Sequence, residues 1–84
     1  MATKLFKIGE YSYYGKWRVT VNNKKQTIQL DGIGYSDNKV MESTTYKFSE
    51  IKDFQNYTCE ISTYYWSETM VDWVEANAKY DFWR

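Results

Sequence analysis

The chain has 84 residues, 43% hydrophobic and 26% charged, with eleven Lys/Arg against eleven Asp/Glu. That length supports one domain, residues 1–84, with a single modest core, and the neutral balance argues against a generally basic nucleic-acid binder. His and Pro are absent and Cys59 is the one cysteine, which removes imidazole acid–base chemistry, imidazole or thiolate metal sites and an internal disulfide.

The chain enters a strand-like segment directly after Met1-Ala2-Thr3-Lys4, without a signal-peptide pattern. Leu5-Phe6-Lys7-Ile8 is short and apolar enough for an edge strand. From Glu10 to Asn22 the apolar residues Tyr11, Tyr13, Trp17, Val19 and Val21 alternate with Ser12, Lys16, Arg18 and Thr20. This period of two marks a strand near 10–22 that is buried on one face. Asn22-Asn23-Lys24-Lys25 reads as a polar turn, and a second strand near 26–35 follows. Closing the hairpin about Asn23-Lys24 pairs Val19 with Ile28 and Trp17 with Leu30. The opposite face then pairs Lys16 with Asp31 and Arg18 with Gln29.

Ile28 and Leu30 are even positions whereas Ile33 and Tyr35 are odd, so a bulge or bend is expected at Gly32 or Gly34. Ser36-Asp37-Asn38-Lys39 reads as a turn. A third strand near 40–48 would put Val40, Tyr46 and Phe48 on one face and Met41 and Thr45 on the other. A connection from Ser49 to Gln55 includes one helical turn. Tyr57, Cys59, Ile61 and Tyr65 then alternate with Thr58, Glu60 and Ser62, the pattern of a fourth strand near 56–65. That strand would place Cys59 inward as an inert thiol.

After Trp66 the spacing becomes helical. Met70, Val71, Trp73, Val74, Ala78 and Tyr80 share one side of a wheel near 68–80, opposite Glu68, Asp72, Glu75 and Lys79. Ser67 is placed as N-cap, with Trp66 and Val71 as a hydrophobic staple and Glu75/Lys79 as an i,i+4 ion pair. The expected fold is therefore α+β: an antiparallel, meander-like sheet of four to five strands with one C-terminal helix packed on one face.

The charges are unevenly spread. Residues 1–42 hold seven Lys/Arg and four Asp/Glu, and residues 43–84 hold four and seven. Nine Tyr, four Trp and four Phe supply more ring surface than a core of this size needs, so some rings are expected on a recognition surface. Helix-face acids such as Asp72 and Glu75 suit a solvated face better than catalysis. No phosphate-binding or dinucleotide motif occurs, so no enzyme activity and no cofactor or metal is expected.

Two groups of residues stand out. Tyr64, Tyr65 and Trp66 together with Tyr80, Phe82, Trp83 and Arg84 are the residue types that dominate protein-interface hot spots. Of these, Tyr64, Trp66, Tyr80, Phe82, Trp83 and Arg84 are the expected contact residues; sealing of an open core edge is the competing role for the tail. Tyr14, Lys16 and Arg18, with Lys24 and Lys25 at the turn, interleave a ring with cations as single-stranded nucleic-acid binders do.

The leading expectation is a small non-enzymatic module that binds another protein, or a second copy of itself. In type, though by no motif, the chain is like small phage or mobile-element proteins that bind and block a host protein. The alternatives are a single-stranded nucleic-acid-binding module and a dimeric sponge for a nucleotide-like ligand. No apolar run is long enough for a membrane span, and a cytoplasmic location is expected.

Overall fold

Trp17, Val19 and Val21 are fully buried on one face of a strand whose other face carries Lys16, Arg18, Thr20 and Asn22. In the computed structural model, which describes residues 1–8, 15–34 and 38–82, that strand is β2 (Lys16–Asn22). It lies between β1 (Ala2–Lys7) and β3 (Thr27–Ile33), and β4 (Val40–Lys47) completes an antiparallel meander in the order β1-β2-β3-β4. A short 3-10 turn (Phe48–Glu50) leads into two helices, α1 (Ile51–Ile61) and α2 (Tyr64–Asn77). The protein is an α+β fold with a four-stranded meander followed by helices.

Both helices cover the same face of the sheet. Ring contacts bind the layers: Phe6 of β1 meets Trp73 of α2 at 6.0 Å, and Tyr46 of β4 meets Phe54 of α1 at 5.7 Å. Trp17 meets Tyr57 of α1 edge-on at 6.4 Å, and the Tyr57 hydroxyl donates to Glu42 at the sheet margin. Trp17, Phe48 and Phe54 are the largest fully buried side chains, each removing about 150–250 Å² from water. The three rings therefore carry a large share of the hydrophobic stabilisation.

The expected fourth strand near 56–65 is a helix instead. Phe54, Thr58 and Ile61 turn toward the core at spacings of four and three, so the helical period was present in parallel with the apparent alternation. Thr58 hides it because a polar residue fills a core position. Its Oγ1 bonds the Phe54 and Gln55 carbonyls at 2.9 and 3.0 Å and lies 2.7 Å from Ser67 Oγ of α2. Ser67 Oγ also donates to the Gln55 carbonyl at 2.9 Å. Two small hydroxyl side chains thus sit where the helices cross, buried and satisfied. Cys59, one residue on, is exposed rather than inward.

Ser67 therefore cannot be the N-cap of the last helix. Thr63 takes that role, its Oγ1 accepting the Trp66 N–H at 3.3 Å, so the helix starts a turn earlier than expected. Trp66 lies within its first turn, which removes the expected staple with Val71. The helix ends at Asn77, leaving Lys79 and Tyr80 beyond it and the expected Glu75/Lys79 helical pair without its helix.

The β2–β3 hairpin keeps its expected faces but changes register by two residues. Val19 pairs with Leu30, Val21 with Ile28 and Arg18 with Asp31. The turn spans Asn23–Gln26 rather than two residues, closed by Gln26 at φ 55° and by the Lys25 N–H on Asn22 Oδ1 at 3.1 Å. A shift of two leaves side-chain parity intact, which is why the buried face was still legible. The expected irregularity is present between Gly32 and Ile33, against β4. It pairs Val40 with Ile33 and Tyr46 with Ile28, which lie on opposite faces of β3, so Val40 and Tyr46 do not share a face as expected. The expected strand residues 10–14 and the Ser36-Asp37 part of the second turn lie outside the described residues.

Candidate functional site

Packing divides the aromatic residues. Among the described rings, Tyr64, Tyr65 and Tyr80 are exposed, and the others are buried or half-buried. Tyr64 and Tyr65 stand out, at 67% and 68% exposure, because the other described rings of this chain find packing partners more fully. Both project from the first turn of α2, which Thr63 holds in place. Trp66 is half-buried behind them, its ring 5.5 Å from that of Tyr65 and nearly perpendicular to it. The site is thus a pair of solvent-facing phenols on a rigid helix start, braced by an indole that reaches into the core.

The expected contact residues do not form one patch. Tyr64 opens α2 and Tyr80 lies three residues beyond its other end, with a helix about 20 Å long at 1.5 Å rise per residue between them. Tyr80 and Phe82 instead fold onto Phe48, with ring centroids 5.4 and 5.7 Å from it and 5.0 Å from each other. Asn23 pins this segment. Its Nδ2 donates to the Asn77 carbonyl at 3.0 Å and its Oδ1 accepts the Lys79 N–H at 2.6 Å. Phe82 is therefore part of the core margin, as the sealing role requires. Trp83 and Arg84 lie outside the described residues.

The cationic group is also divided. Lys16 and Arg18 lie on the sheet face away from the helices, whereas Lys24 and Lys25 occupy the turn at the far end of β2, about 20 Å from Lys16. Arg18 is committed to Asp31, with its Nη2 and Nε both 3.2 Å from Oδ2. Ser43 Oγ donates to the same carboxylate at 2.7 Å and Gln29 Nε2 at 3.1 Å. Burial alone pushes the Asp31 carboxyl up. The hydrogen bonds from Ser43, Gln29 and Arg18 and the Arg18 charge outweigh it, holding the group below its ordinary range. Lys16 Nζ donates to the Asn38 side chain. None of the described strand residues on this face is aromatic, and Tyr14 lies outside the described residues. Stacking of bases has no described platform there.

The uneven charge becomes a front-to-back polarity. Lys7, Lys16, Arg18 and Lys47 lie on the open sheet face, while Asp53, Glu60, Glu68 and Asp72 are exposed on the helices. Sequence reasoning missed this arrangement because it follows from which face the helices cover. Among the described residues no three His, Cys, Asp or Glu side chains gather as a metal site, and no helix is long and apolar enough to cross a membrane. Compared with protein families, curated proteins and solved structures, the chain matches none.

Proposed function

We propose that the protein is a small non-enzymatic binding module that docks on another protein through Tyr64 and Tyr65, with Trp66 as their brace. The observation carrying this reading is the exposure of two adjacent phenols on a capped helix start, in a chain that packs its other described rings more fully. Tyr offers large contact area, few rotors to freeze and a hydroxyl for a hydrogen bond, which suits a hot spot. Glu60 and Glu68, exposed on the flanking helical segments, favour a partner with cations around an apolar hollow. Blocking a larger protein in this way requires no chemistry from the module itself.

The experiment is affinity capture from a lysate of the native host with the parent protein beside Tyr64→Ala/Tyr65→Ala. The reading expects a protein retained by the parent and lost by the variant, with both chains equally folded by circular dichroism. Equal retention by both would move the contact away from this helix start.

A further inference from the structure

A pocket of about 210 Å³ lies at the end of the molecule opposite Tyr64, between the β2–β3 turn, the β4–α1 junction and the segment after α2. Lys25, Gln26 and Thr27 form one wall, Lys47, Phe48 and Ser49 a second, and Tyr80 the third. Three segments distant in sequence are fixed around it. The Phe48 N–H donates to the Gln26 carbonyl at 3.0 Å, and Asn23 ties the turn to Asn77 and Lys79. The Phe48 and Tyr80 rings meet at 5.4 Å. The walls are therefore held before any ligand arrives, which lowers the ordering cost of binding.

We propose that this pocket binds a small aromatic anion, a single ring bearing a phosphate or carboxylate. Lys25 and Lys47 are exposed, and neither ammonium has an ion-pair or hydrogen-bond partner among the described residues. Among the described residues, no carboxylate lines the pocket. The nearby Glu50 carboxylate already accepts the Lys47 N–H at 2.8 Å. Two lysines without a described partner line the same pocket as Thr27 and Ser49, a set that favours an anionic group, and the Tyr80 ring, packed against Phe48, favours a ring beside it. The volume sets how much of a ligand the hollow can hold. It falls below the roughly 300–1,000 Å³ of sites for drug-sized ligands, so the hollow seats one ring with its substituent. This site is independent of the Tyr64/Tyr65 surface.

The test is a nuclear magnetic resonance titration of the full chain with phenyl phosphate, benzoate, inorganic phosphate and benzyl alcohol. Phenyl phosphate or benzoate is expected to give saturable shifts at Lys25–Thr27, Lys47–Ser49 and Tyr80 in the millimolar range, and the stronger of the two identifies the anion class. Inorganic phosphate and benzyl alcohol, each holding half of the chemistry, are expected to bind several-fold more weakly. Lys25→Gln/Lys47→Gln changes two exposed side chains and should weaken the aromatic anion by about tenfold while keeping the dispersion of a folded spectrum. Tyr80→Leu should reduce the preference for phenyl phosphate over inorganic phosphate. Absence of saturable shifts with both aromatic anions, shifts clustered elsewhere, or unchanged affinity in the lysine variant would overturn the proposal.

Discussion

The ring of Phe82, near the end of the chain, lies 5.7 Å from that of Phe48, the first residue after the sheet. Phe48 is 1% exposed, and Phe82 and Tyr80 together supply part of its cover. The closing segment is thus structural as far as Phe82. Phe82→Ala should lower unfolding stability by about 1–2 kcal/mol, roughly half the cost of deleting a fully buried ring. Phe82→Leu should recover most of the loss. Urea denaturation measures both, and an unchanged midpoint in the alanine variant would show that the ring does not cover Phe48.

Thr58 and Ser67 form the buried contact at the helix crossing, so their contributions should be coupled. Thr58→Val and Ser67→Ala should each cost about 1 kcal/mol, because each leaves a neighbouring polar group short of a partner. The double variant should cost less than the two singles together, by about 0.5 kcal/mol or more. A double-mutant cycle from chemical denaturation provides the value, and strict additivity would contradict the shared hydrogen bonding.

The sheet was legible because period two survives a register error of an even number of residues. Trp17, Val19 and Val21 stay inward whether Val19 faces Ile28 or Leu30, so a misjudged turn length left the core face unchanged. The helices were half legible. Met70, Val71 and Val74 announce α2, but α1 is masked by Thr58 and by Tyr57, Cys59 and Ile61, whose odd numbering imitates a strand. In a helix crossing, small polar residues are chosen for close approach and mutual bonding, and hydropathy does not record that. The candidate site was legible only in type. Ring count signalled surplus aromatic surface, but which rings stay exposed depends on Tyr80 and Phe82 folding onto Phe48 while Tyr64 and Tyr65 meet no cover.

Cys59 gives a direct check on α1. As an exposed helical residue it should react with a thiol reagent in the native protein at a rate close to that of the unfolded chain. A strand in place of α1 would bury the thiol, and labelling would then require denaturant.

Asp31 should shape the acid limb of stability. Its carboxyl titrates lower in the folded protein than in the unfolded chain, so as pH falls the unfolded state takes up the proton first. The stabilisation is present in full above about pH 4 and is lost as pH drops through the folded value. The stability difference between the parent and Asp31→Asn should therefore be largest near neutrality and shrink below about pH 4. Urea midpoints collected from pH 7 down to pH 3 measure this, and a difference independent of pH would contradict a depressed carboxyl.

Docking through the start of α2 is most directly tested by site-specific photocrosslinking in the native host. A benzophenone amino acid replaces Tyr65 in one variant and Asp72, two turns along the exposed helical side, in another. Irradiation should give a discrete adduct of higher mass from position 65 and little or none from position 72. No adduct from position 65, or the same adduct in equal yield from position 72, would contradict the account.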